Sequence, residues 1–124
     1  MKVISTKGAP SAIGPYSQAV MIGDVLYSSG QIALRADGTL NDGDIQIQTH
    51  QVMKNLLAVL EEAGLTFSNV VKTTIFLADM DDFSLMNEIY ESYLSEPFPA
   101  RSTVAVKTLP KNVKVEIEVV AFKR

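Results

Sequence analysis

Residues 70–77, Val-Val-Lys-Thr-Thr-Ile-Phe-Leu, constrain the fold more than any other stretch of this chain. They are β-branched or apolar on both faces, Val71, Thr73, Ile75 and Leu77 against Val70, Thr74 and Phe76, and only Lys72 interrupts them. A strand of that kind belongs inside a sheet, with neighbours on both edges and cover on its faces. The cover is legible on either side. Upstream, apolar residues at 45, 52, 53, 56, 57, 60 and 63, with Thr49 in the same stripe, predict a helix from Ile45 to Ala63. Asp44 suits its N-cap and Gly64 its C′ position. Downstream, Phe83, Met86, Tyr90 and Tyr93 predict a second helix from about Asp82 to Leu94, with Asp79, Asp81 or Asp82 as cap and Pro97 and Pro99 as its stop.

The remaining segments read as strands. Val3-Ile4 opens the first, and a loop with Gly8, Pro10, Gly14 and Pro15 leads to Tyr16–Ile22. Gly23-Asp24 suits a type II′ turn into Val25–Ile32, and a turn-rich loop over residues 35–44 precedes the first helix. Ala100–Val106 and Val113–Phe122 complete the set, separated by Leu109-Pro110-Lys111-Asn112. This order calls for an α+β sandwich with the helices on one face of a mixed sheet. At 124 residues the chain reads as a single domain over 1–124. The sheet face away from the helices would then lie open, and closed homo-oligomers are the usual way to cover such a face, so self-association is expected.

Composition narrows the chemistry. Cysteine is absent and His50 is the only histidine, which removes thiol catalysis, iron–sulfur clusters and the standard zinc sites. A net charge of −3 and a pI near 5.0 oppose a sequence-independent grip on nucleic acid or anionic membrane, and favour small-molecule or protein partners. No apolar run exceeds five residues (Leu56 to Leu60), and Met1-Lys2-Val3-Ile4 lacks the apolar stretch of a signal, so a cytoplasmic location is expected.

The charges that matter lie in the last two predicted strands. If these formed a simple hairpin with Val106 opposite Val113, Arg101 and Thr103 would share a face with Glu116 and Glu118. An arginine offers a planar fork to a carboxylate, and a neighbouring glutamate can hold or deprotonate a water. The alternative is a structural ion pair across the sheet, and spacing alone leaves both open. Elsewhere, His50 reads as part of a solvated helix face, Ser28-Ser29 has no evident base, and Asp79, Asp81 and Asp82 read as helix caps rather than magnesium ligands. Tyr16 is either a loop anchor or a pocket hydroxyl. Asn87 reads either as a surface residue or as a donor into a pocket.

Taken together, Ala12-Ile13-Gly14-Pro15-Tyr16-Ser17-Gln18, Ser28-Ser29-Gly30-Gln31-Ile32, Val71-Lys72-Thr73-Thr74, Pro99-Ala100-Arg101-Ser102 and Val115-Glu116-Ile117-Glu118 resemble the RidA/YjgF family of enamine/imine deaminases. The resemblance runs in order along essentially the whole chain. It implies a chorismate-mutase-like two-layer sandwich that forms a homotrimer, with a central barrel of sheets and three clefts between subunits. It also implies that the strand at Val70–Leu77 lies between the last two. Arg101 would bind a substrate carboxylate and Glu116 would position the hydrolytic water. Tyr16, Ser29, the Gly30 backbone and Asn87 would complete the pocket, some from a neighbouring subunit. Thr103 stands where many relatives carry cysteine and would contribute a backbone contact. The implied reaction is hydrolysis of 2-iminopropanoate and 2-iminobutanoate, released by pyridoxal-phosphate dehydratases acting on serine and threonine, to 2-oxo acids and ammonia, with no metal or organic cofactor. Two other readings are a non-catalytic trimer that senses 2-oxo acids and an RNA-cleaving translation inhibitor. The acidic pI opposes the second of these.

Overall fold

A computed structural model describes residues 1–124. In chain order the elements are β1 (Lys2–Ile4), β2 (Ala19–Ile22), β3 (Val25–Ser28), α1 (Ile45–Glu62), β4 (Val70–Leu77), α2 (Phe83–Ser92), β5 (Ala100–Ala105) and β6 (Val115–Phe122). The local signals act as expected at several ends. Asp44 accepts a hydrogen bond from Ile47 N at 2.9 Å to start α1, and Gly64 adopts φ +76° just past its end. Gly23, at φ +58°, makes the two-residue turn that pairs Ile22 with Val25. Asp79 caps a 3₁₀ turn over Met80–Asp82 by accepting from Asp81 N, and α2 then ends at Ser92, short of the expected Leu94.

The six strands form one mixed sheet in the order β1-β2-β3-β6-β4-β5. Every pair is antiparallel except β4 with β5, which α2 joins by a crossover, as parallel neighbours require. The order that the resemblance implied is therefore present, and the simple hairpin of the last two strands is not. β4, the strand richest in β-branched residues, takes the place between them and pairs along most of its length on both edges. β5 and β6 fall one and two residues short of their expected bounds, and two other strands fall shorter still. β2 starts only at Ala19, because the buried Gln18 amide ties the preceding loop to the carbonyls of Thr6 and Pro10. β3 stops at Ser28, and pairing resumes only where Gln31 and Ile117 exchange both backbone hydrogen bonds.

Both helices lie on one face. Val52, Leu56, Val59 and Leu60 of α1 and Met86 of α2 are fully buried against Ile75, Leu77, Val115 and Ile117. A side chain so buried contributes roughly 1.5–3 kcal/mol. The other face has no cover. Val3, Ile22, Tyr27 and Val104 on it are 56%, 57%, 48% and 45% exposed. β4 is thus closed on one side only, with Lys72, Thr74 and Phe76 half-buried, which corrects the expectation of a strand covered on both faces. No helix is long and apolar enough to cross a membrane.

Candidate functional site

Arg101 sits on β5, the last strand of the sheet, directly beside Thr73 of β4. Thr73 is buried on the helix face, so the Arg101 side chain also leaves the sheet on that face and meets α2. Its Nη1 donates to Asn87 Oδ1 at 2.5 Å. Its guanidinium carbon lies 5.2 Å from the centre of the Tyr90 ring and 5.4 Å from that of Phe83. Positions 83, 87 and 90 fall on one side of α2 at helical spacing, which explains why all three reach the same cation. The Tyr90 and Thr73 hydroxyls are hydrogen-bonded at 2.8 Å. Asn87, Tyr90 and Arg101, with Glu91, Phe98 and Pro99, line a cavity of about 440 Å³. Thr103, two residues along the same face of β5, has a buried hydroxyl without a hydrogen-bond partner.

Glu116 occupies the other face, on β6. Gly30 approaches it so closely that a Cβ there would lie 2.5 Å from Glu116 Oε2, so only glycine fits without displacing the carboxylate. Ser29 beside it donates from Oγ to Ser17 O at 2.6 Å, which holds the irregular end of β3 in place. Burial raises the Glu116 carboxyl above its ordinary pKa, and the Glu118 charge raises it further. Tyr16, Ser29, Gly30, Gln31, Lys111 and Glu116 are among the residues lining a second cavity, of about 590 Å³. Lys111 and its neighbour Asn112 both have left-handed backbones, at φ 56° and 55°, where this loop turns back beside the carboxylate.

The two cavities open on opposite sides of the sheet. Across β5, β4 and β6, Arg101 aligns with Thr73 and Val119, whereas Glu116 aligns with Phe76 and Val104. The expectation that Arg101 and Thr103 share the glutamates' face is therefore wrong by one residue of register, the amount by which an intervening β4 shifts the alternation. Within one protomer Arg101 meets Asn87, with Thr103 further along the strand, and Glu116 meets Gly30 in the cavity that Tyr16 and Ser29 also line.

The other candidates resolve simply. His50 is not on a solvated face: its Nδ1 lies 2.9 Å from the Tyr93 hydroxyl, and the two rings meet edge to face. Ser28 Oγ accepts a hydrogen bond from Val119 N at 2.9 Å rather than facing a base. No three His, Asp or Glu side chains converge as metal ligands. The contributors that the sequence reading missed are Phe83, Tyr90 and Lys111. Their signal was present for α2, since positions 83 and 90 flank Asn87 by four and three residues, but the same spacing also describes a core stripe.

Comparison with known proteins adds the following. The family described as Endoribonuclease L-PSP matches residues 6–123. The human protein named 2-iminobutanoate/2-iminopropanoate deaminase is 48% identical over 122 residues, spanning 98% of this chain and 89% of its own. A protein of Lactococcus lactis named putative regulator AldR is 51% identical over 122 residues, spanning 98% and 97%. Among solved structures, that of the YjgF gene product of E. coli superposes with a TM-score of 0.95 at 44% identity, covering 100% of both chains. That of E. coli TdcF with bound serine does so at 0.95 and 39% identity, again over 100% of both.

Proposed function

The chain belongs to the Endoribonuclease L-PSP family, that of RidA and YjgF, and on that premise we propose that it is a hydrolytic deaminase of small 2-imino acids such as 2-iminobutanoate and 2-iminopropanoate. The observation that carries this reading is the pair of prepared groups: an arginine already oriented by Asn87, and a carboxyl packed against Gly30 whose pKa burial raises above its ordinary value. The substrate carboxylate docks on the free N–H edge of Arg101. Charge-assisted hydrogen bonds of this kind contribute about 1.5–3 kcal/mol each, which suits a ligand with little apolar surface to bury. Glu116 holds a water against the C=N carbon and takes its proton as the C–O bond forms. Addition to the protonated imine leaves a carbinolamine; Glu116 returns the proton to its nitrogen, and as the C–N bond breaks and the C=O forms the hydroxyl proton passes to Glu116, releasing a 2-oxo acid and ammonia, which carries that proton away as ammonium. A base with a raised pKa accepts that proton more readily, and positioned proton transfer of this sort is worth roughly 10²–10⁴-fold in rate.

Arg101 and Glu116 of a single protomer cannot serve one small substrate, because the sheet lies between them. The uncovered face and the exposed β5 support a homotrimer in which the Arg101 half of one copy, with Asn87 and Thr103, faces the Glu116 half of the next, with Tyr16, Ser29 and Gly30. Such an enzyme would act on imines released by pyridoxal-phosphate dehydratases of serine and threonine. The test is ammonia release from imine generated in place by a threonine dehydratase. Acceleration by the protein is expected, and an unchanged rate rejects the activity. No observation favours RNA cleavage. The only histidine is bonded to Tyr93 and lines neither cavity, and the chain is acidic.

A further inference from the structure

We propose that Phe83 and Tyr90 act as an aromatic clamp that presets the Arg101 guanidinium for a planar carboxylate, so that these two rings, which touch no reacting atom, determine affinity for the acid end of the substrate. This rests on the imine-hydrolase reading for the identity of the ligand, but the clamp itself is a property of the protomer.

Arg101 lies on an exposed strand at the edge of the sheet, where a long, flexible side chain ordinarily samples many rotamers. Here three contacts converge on it from α2. Both ring centres fall within the roughly 6 Å at which a cation is attracted to a π face. Asn87, between the two rings in sequence, takes one N–H of Nη1. The remaining N–H groups are left for a ligand, in the fork geometry that matches a carboxylate edge. Tyr90 cannot swing away, since it is only 5% exposed and its hydroxyl is bonded to Thr73. Thr73 is also the residue paired with Arg101 across β4 and β5. The ring that holds the cation bonds the Thr73 side chain and the strand that carries it pairs beside Thr73, so one residue references both and fixes their separation. Cost of ordering is removed before the substrate arrives, and that is how preorganisation raises affinity without a new contact.

A role of this kind separates from a merely structural one. Phe83 is half-buried at the start of α2, so Phe83→Leu keeps most of its apolar volume and leaves the core in place. Its expected effect is a KM for 2-iminobutanoate about tenfold higher, with kcat within about threefold of wild type, and Phe83→Tyr is expected to restore the KM. Tyr90→Phe keeps the ring and is expected to hold KM within about threefold, whereas Tyr90→Leu raises it like Phe83→Leu. A second readout needs no turnover: the Nε–H resonance of Arg101 is expected to carry a ring-current shift that both leucine variants abolish. A wild-type KM in Phe83→Leu, or an Arg101 resonance unmoved by either leucine variant, overturns the clamp. A wild type that hydrolyses no imine while that resonance moves as described rejects the proposed reaction and upholds the clamp.

Discussion

On the helix side of the sheet Arg101 is held by side chains of one regular element, with Asn87, Phe83 and Tyr90 at successive turns of α2. On the far side Glu116 is set by loop backbone, through the close approach of Gly30 and the irregular segment after β3. The difference suits the chemistry proposed for each group. A cation that must only bind gains from contacts that restrict its rotamers, and aromatic faces do so without consuming its N–H groups. A carboxylate that must accept a proton gains from lost solvation, and bare backbone without a Cβ desolvates it while donating little in return.

If the helix side binds and the far side reacts, substitutions on the two sides differ in kind as well as in size. The largest expected effect is that of Arg101→Ala, about a 10³-fold fall in kcat/KM in the dehydratase-coupled ammonia assay, with loss of 2-oxobutanoate binding in a calorimetric titration. Glu116→Gln is expected to lower kcat by about 10²-fold while 2-oxobutanoate still binds, and a KM effect larger than the kcat effect would erase the distinction between the sides. Gly30→Ala follows, at about tenfold in kcat, because its Cβ must push the Glu116 carboxylate out of place, and the same steady-state assay measures it.

Smaller effects come from charge. Glu118 raises the Glu116 pKa, and a general base works only when deprotonated, so Glu118→Gln is expected to move the acidic limb of the kcat profile to lower pH. The same shift appears in stability. A carboxyl whose folded pKa lies above its unfolded one stabilises the fold at low pH and loses that contribution as pH rises through the folded value. Glu116→Gln is therefore expected to raise Tm more at pH 8 than at pH 4, as read by thermal melts at the two pH values.

Much of this is legible in the sequence. The α1 stripe with Asp44 and Gly64, the Gly23-Asp24 turn and the strand at Val70–Leu77 are local patterns, fixed by residues within a few positions of one another. Pairing is not local. Nothing in Ala100–Val106 or Val113–Phe122 states that β4 lies between them, and that one insertion moves Arg101 from the glutamates' face to the opposite one. The residues themselves, Arg101, Asn87, Glu116 and Gly30, were identifiable through the family motifs, which carry no register. His50 shows the same limit: its neighbours Gln48, Thr49 and Gln51 are polar in sequence, yet its partner is Tyr93 of the other helix region.

The most direct test of a cleft shared between copies is complementation. Arg101→Ala and Glu116→Gln, each strongly impaired alone, are coexpressed in equal amounts so that mixed oligomers form, and imine hydrolysis is measured per cleft. In a ring where each cleft takes its arginine from one copy and its glutamate from the next, random mixing restores about a quarter of the wild-type activity. Activity that stays at the level of the single variants would place both groups in the same copy's cleft and contradict the division across the sheet.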